Sequence, residues 1–263
     1  MTHPLAPLAE EPRVAEAVED ARVMVDRLLG HRMLQRRSAQ IAAEAALRGA
    51  RASAALEGAP YPLELLRGED LPADPVLQGA LRLSLEVPAV VEVLGRAPRQ
   101  ALARLHAVAA GEAIAPDRVG RPRAEGDPLA DPLGLGDPPD PATVVARLDG
   151  LVELLTTKGG APAIVVAAVA HGELLALRPF GWGNGLVARC LERTILINRG
   201  LDPKAVTAPE VGHYELAGEY GDRAAGYLAG TPEGVVAWVV HCAAAVRLGA
   251  RESVAMCEAL QRG

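Results

Sequence analysis

Aromatic side chains are scarce in this chain: its 263 residues include one Phe, two Trp and four Tyr. The apolar half is instead Ala, Leu and Val, a composition that favours closely packed helices over a β-branched and aromatic sheet. Cysteine is equally sparse. Cys190, Cys242 and Cys257 are odd in number and widely spaced, with no CxxC pair and no neighbouring histidine at ligand spacing. Both a disulfide framework and a zinc finger are therefore excluded as expectations. Basic charge is in deficit, with 27 Lys and Arg against 33 Asp and Glu for a net charge of −6, so a general nucleic-acid binder is not expected. Long hydrophobic runs are missing too. The longest, about residues 161–170, falls short of the roughly 20 residues a bilayer requires, and no basic segment leads into an apolar one near Met1. The expectation is a cytoplasmic protein without membrane contact. A chain of this length buries roughly 70 to 75% of its unfolded surface, enough for one domain with a core of its own.

Helical signals run through the chain. Val14, Val18, Ala21, Val25 and Leu28 share one stripe, and Leu34, Ile41, Ala45 and Leu56 extend a second helix to Gly58. Asp74-Pro75, Asp140-Pro141 and Thr231-Pro232 each set a capping side chain before a proline at the first helical position. Behind the last two, Val144, Val145, Leu148, Leu151, Val152 and Leu155 keep the 3.6 period, as do Val235, Val236, Val239, Val240, Ala243 and Val246. Residues 163–177 are apolar nearly all round, the pattern of a helix at the centre of a bundle. Between Glu112 and Pro141 the chain carries seven prolines, several preceded by Asp, which forces a long loop. Helices resume on both sides, so it reads as a flap within one domain rather than a linker.

The segment from Arg178 to Arg189, Arg-Pro-Phe-Gly-Trp-Gly-Asn-Gly-Leu-Val-Ala-Arg, places three glycines and an Asn between two helical stretches. A helix opening near Leu186 would turn the free N–H groups of Gly183, Asn184 and Gly185 toward an anion, with Arg189 one turn on to complete the pocket. The plainer alternative is a glycine-rich turn between core helices. Gly183-x-Gly185-x-x-Ala188 also matches a dinucleotide fingerprint on paper, but that fingerprint needs a strand feeding the turn, and the feeding segment is helical.

These residues resemble the Fic (Fido) family, whose signature reads His-Pro-Phe-x-Asp/Glu-Gly-Asn-Gly-Arg-x-x-Arg and whose members mostly transfer AMP from ATP to protein hydroxyls. His171-Gly-Glu-Leu-Leu-Ala-Leu looks like the family's approach helix, and Pro138-Pro139-Asp140-Pro141 is similar to its passage from flap to helix. Ser53-Ala-Ala-Leu-Glu57-Gly58 resembles the family's inhibitory motif. The likeness spans roughly residues 35–250. It implies an all-α, Fic-type helical bundle with a proline-rich flap at about residues 112–141 and room in that flap for a small β-hairpin. It also implies N-terminal helices over residues 1–60 carrying the inhibitory motif, and a Fic-like core over residues 61–263. Phosphate contacts fall to Gly183, Asn184, Gly185 and Arg189, and inhibition to Ser53 and Glu57, with Glu57 reaching Arg189.

The departures bear on chemistry. Arg178 occupies the place of the catalytic His, and a guanidinium has no lone pair with which to act as a general base. Trp182 replaces the carboxylate that holds Mg²⁺, and an indole offers no oxygen to a hard cation. Leu186 replaces the first of two phosphate-gripping arginines. The reading is a Fic-type protein degenerate for AMPylation that binds ATP, another nucleotide or a protein target at the flap, with no metal ligand set. Its alternative is a nucleotidyl- or phosphoryl-transferase in which Arg178 stabilises charge. His106 and His171 read as core histidines, and His213 and His241 have no partner at metal spacing. The cluster Arg22, Arg27, His31, Arg32, Arg36 and Arg37 alternates with Glu16, Glu19, Asp20 and Asp26 and reads as a solvated face. Arg121 and Arg123, on the flap, are candidate contacts for an acidic target segment.

Overall fold

The computed structural model describes residues 3–157 and 159–262. Among them the chain forms α1 (Ala6–Ala9), α2 (Pro12–Leu29), α3 (Arg32–Leu56), α4 (Pro75–Leu94), α5 (Pro98–Ala110), α6 (Pro141–Thr156), α7 (Ala163–Leu177), α8 (Asn184–Asn198), α9 (Pro209–Glu215), α10 (Ala217–Leu228) and α11 (Pro232–Arg262), with no strand among the described residues. The fold is all-α.

The three Asp-Pro and Thr-Pro starts form as their chemistry dictates. The Asp74 carboxylate accepts from the N–H groups of Val76 and Leu77 at 2.8 and 3.0 Å, and Asp140 accepts from Thr143 N–H at 3.0 Å. Thr231 Oγ1 accepts from Gly234 N–H at 3.1 Å. Each cap satisfies a donor that the first helical turn leaves free. In α6 the buried stripe is Val144, Leu148, Leu151 and Leu155, while Val145 turns to solvent. On α2, Arg22 pairs with Glu19 and Asp26 along the helix surface, whereas Arg13 and Arg27 reach Glu233 and Glu258 of α11.

All of α7 except Ala163 and Glu173 is buried, and α8 is buried from Asn184 to Leu196. These two helices pack on each other at the centre. α8 is enclosed by α4 and α5, and α7 by α6, α10 and α11. By length and composition α11 could cross a bilayer, yet 61% of its most apolar window is buried in the bundle, where it packs on α2 and α9.

The flap between α5 and α6 contains one short 3-10 turn, Pro116–Arg118, and no β-hairpin, which corrects the allowance for one. A hairpin needs a ladder of N–H donors, and the prolines supply none. The N–H groups of Arg123 and Ala130 instead reach the carbonyls of Pro179 and Gly181 in the motif loop, at 2.7 and 3.1 Å.

Helix α9 owes its position to two close backbone approaches. A Cβ on Gly212 would lie 2.0 Å from the Ala245 carbonyl oxygen, and one on Gly249 would lie 2.3 Å from that of Ala208. Gly212→Ala is expected to lower stability by about 2 kcal/mol in urea unfolding, because backbone displacement outweighs a helix-propensity gain of about 1 kcal/mol. Unchanged or raised stability would show that α9 docks without that contact.

Candidate functional site

The loop from Arg178 to Gly183 joins the two central helices and is built to turn back sharply. Arg178 ends α7 in the left-handed region (φ 41°), and Gly183 begins α8 in the same region (φ 70°). Asn184 closes the loop on itself. Its Oδ1 accepts from Phe180 N–H at 3.0 Å and its Nδ2 donates to Phe180 O at 2.7 Å. Both polar ends of the Asn184 side chain are thus held by the loop and are not directed at a ligand. Phe180 is stacked on His106, with ring centroids 4.0 Å apart and planes 6° from parallel.

Glu57 and Arg189 meet. The Glu57 carboxylate lies 2.9 Å from Arg189 Nη2, although 132 residues separate them. The guanidinium has no exposed surface, and every nitrogen has a partner: Nε donates to Ser53 Oγ (2.9 Å), Nη1 to Tyr220 Oη (3.2 Å), and Nη2 to Ser53 O (3.0 Å) as well as Glu57. A Cβ on Gly185 would stand 1.9 Å from Glu57 Oε1 and 3.0 Å from Arg189 Nη1. The carboxylate therefore sits directly over the N-terminus of α8, where the helix dipole favours negative charge. Gly185 is the residue that lets it approach.

Arg178 faces the flap. Its Nη1 donates to Gly136 O at 2.7 Å and lies 3.0 Å from Asp131 Oδ2, while its buried Nε and Nη2 have no partner among the described residues. Arg123 works from the other side: its Nε donates to Arg178 O at 3.0 Å, and its Nη2 donates to Pro139 O. Arg121 pairs with Asp127 at 3.2 Å and donates to Asp117 O. The flap arginines, expected as contacts for an acidic target, are thus engaged within the flap and the motif loop. Between flap and motif remains a cavity of about 20 Å³, lined by Glu57, Asp131, Leu133, Leu135, Arg178 and Gly185. That is room for about one water and not for a nucleotide. Its two carboxylates are each already paired with an arginine, an arrangement that does not suit Mg²⁺.

The two other motif departures turn out to share one contact. Leu186 is 1% exposed, and both its Cδ1 and the Trp182 ring would stand 3.3 Å from a Cβ on Gly79 of α4. Positions that carry charge in the resembling motif here fill a gap against a neighbouring helix.

Tyr220, which the sequence did not single out, connects this site to a second polar cluster. Its hydroxyl lies 2.8 Å from His171 Nε2, and His171 Nδ1 lies 2.7 Å from Glu192 Oε2. The same oxygen lies 2.8 Å from His213 Nε2, and His213 Nδ1 lies 3.1 Å from His241 Nε2. His171 is thus a core histidine with both nitrogens satisfied, as expected. His213 and His241, which have no partner at metal spacing in the sequence, meet Glu192 and each other in space because α8, α9 and α11 bring together residues the sequence keeps apart. Burial holds His171 at about 4 and raises the Tyr220 phenol. Burial would also raise Glu192, but the two imidazoles outweigh it and hold the carboxylate below its usual range.

His106 supports the motif loop in its neutral form. It accepts from Gly120 N–H through Nδ1 at 2.9 Å, and burial holds it at about 4 against an ordinary 6.5. Between those values the unfolded chain binds the extra proton, so this contribution is present above pH 6.5 and is lost as pH falls toward 4. Asp202, pushed up to about 6 by burial, acts in the opposite sense. Melting temperatures across this window are expected to show a shallower acid loss in His106→Asn than in the wild type, since an amide oxygen keeps the acceptor without titrating. Parallel profiles would remove His106 from the account.

No protein-family model and no curated protein matches the chain. Solved structures do. A Fic family protein from Desulfovibrio desulfuricans G20 superposes with a TM-score of 0.72 at 18% identity, over 93% of this chain and 75% of that one. Fic-1 from C. elegans gives 0.66 at 18% identity, covering 96% and 75%. A Fic domain containing signaling protein from Bacteroides thetaiotaomicron VPI-5482 gives 0.63 at 15% identity, covering 92% and 98%. At such identities the likeness speaks to architecture, and the architecture of this chain is the Fic (Fido) fold.

Proposed function

We propose that this Fic-fold chain is a phosphate- or nucleotide-binding module that does not transfer AMP and whose anion site is held shut by its own Glu57. The observation that carries the reading is the Glu57 carboxylate lying over the α8 N-terminus and bonded to Arg189. An anion bound in a site of this kind, where a helix terminus, two glycines and a guanidinium converge, is replaced here by an internal one. Ligand access then needs two local changes, withdrawal of Glu57 and release of residues 131–136 of the flap from Arg178. The absence of a base at 178 argues against AMP transfer, because loss of a general base alone costs about 10² to 10⁴ in rate.

A second reading, an active nucleotidyl- or phosphoryl-transferase, draws on one feature. The buried Arg178 guanidinium keeps two nitrogens without partners among the described residues, and such donors can stabilise charge developing on a transferred group.

Calorimetric titration with ATP separates these readings. Glu57→Gly is expected to raise nucleotide affinity and Arg189→Ala to lower it. A melting temperature that falls in Glu57→Gly with no heat of binding in any form would retire the nucleotide site and leave a protein-interaction module, since stranding a buried charge costs roughly 3 to 5 kcal/mol. In a companion assay with labelled ATP and Mg²⁺, neither the wild type nor Glu57→Gly is expected to label itself or a protein target. Transfer by Glu57→Gly would favour the transferase.

A further inference from the structure

Away from the motif, four helices converge on a cluster that neither the resemblance nor the proposed function uses. His171 from α7, Glu192 from α8, His213 from α9 and Cys242 from α11 are at most 1% exposed, and each offers one ligand atom lying within 4.8 Å of all the others. We propose that these four side chains form a structural site for one divalent transition metal, zinc by the chemistry of its donors.

Four lines of argument lead there. The donor set is two imidazole nitrogens, one carboxylate oxygen and one sulfur, which is tetrahedral zinc chemistry rather than that of Mg²⁺ or Ca²⁺. The outer shell is already in place: His171 Nδ1 faces the centre while its Nε2 lies 2.8 Å from Tyr220 Oη, and His213 Nε2 faces the centre while its Nδ1 lies 3.1 Å from His241 Nε2. Partners of that kind fix ring orientation and tautomer in metal sites. Charge is the third. The Glu192 carboxylate is buried with no Lys or Arg against it, and the nearby Arg189 cation is already paired with Glu57. A dication bound by one carboxylate and one thiolate makes the site neutral. The fourth is Cys242. Its thiol is free and buried, and metal coordination is the interaction that converts such a thiol to thiolate.

The movement required is small. Zinc bonds of about 2.0 to 2.3 Å place ligand atoms roughly 3.3 to 3.7 Å apart. The two contacts to Glu192, at 2.7 and 2.8 Å, would open by less than about 1 Å as the metal replaces shared protons, and the sulfur would close in by a similar amount. Binding releases the thiol proton to solvent, moves the proton of each imidazole from the nitrogen facing Glu192 to its other ring nitrogen, and involves no change of oxidation state. All four positions are protein side chains, so no position is left open for substrate and the role is structural. With no path from the surface, the ion would be taken up during folding.

The full chain, produced with zinc in the medium and purified without chelator, is expected to retain one zinc per molecule by elemental analysis. Refolded in Co²⁺, it is expected to show the intense visible bands of tetrahedral cobalt together with a thiolate-to-cobalt charge-transfer band. Cys242→Ser is expected to lose the charge-transfer band and keep a folded circular-dichroism spectrum, while Cys190→Ser leaves the band unchanged. The proposal is overturned if the wild type purifies folded with no metal above background and refolds equally well with and without Co²⁺, showing only the weak octahedral spectrum. That result would assign the cluster to hydrogen bonding alone.

Discussion

A guanidinium without exposed surface sits at the centre of this bundle, and much of the site follows from what it requires. A buried arginine is tolerated only if each nitrogen is bonded and its charge is opposed. Arg189 meets that requirement with groups from two other helices, Ser53 and Glu57 on and just beyond α3, and Tyr220 on α10. Ser53 and Glu57 are four residues apart and so lie on one face of the helix end, which lets both reach a single guanidinium. This contact ties the end of α3 to α8, while the Ala-rich face of α3 packs chiefly on α4, α9 and α11.

The flap depends on the same loop from the other direction. Its prolines cannot make a ladder, so it is held through carbonyls of the motif loop and through two arginines, Arg178 and Arg123, that bond across the junction. The arginine at position 178 thus serves closure: its guanidinium bonds the flap through Gly136 and Asp131.

Much of this was legible in the sequence where the cause is local. Asp74, Asp140 and Thr231 announce helix starts because a cap acts within three residues. The all-round apolar stretch of α7 announces its central place for the same reason. The Glu57 to Arg189 contact became visible only through a motif resemblance, since nothing in either segment alone implies the other. The rest was hidden by topology or by competition. His171, Glu192, His213 and Cys242 stand on four helices, so no spacing rule could group them. Asn184 was read as a backbone donor to an anion, and nothing in the sequence showed that its side chain would clasp Phe180 from both ends of its amide. Arg121 and Arg123 look free in the sequence because the carbonyls they bond become available only when the flap folds back.

Gly79 carries an implication for what positions 182 and 186 can hold. Trp182 and Leu186 both pack against α4 at that glycine, where α5 also makes its close approach. Returning an acid to position 182 and an arginine to 186 would leave a gap beside Gly79 and place charge against an apolar helix. A larger residue at 79 could not fill that gap, because its Cβ would stand 2.6 Å from the Ala109 carbonyl oxygen of α5 whatever occupied 182 and 186. The packing at positions 182 and 186 is thus fixed by the shapes of α4 and α5 together, not by either residue alone.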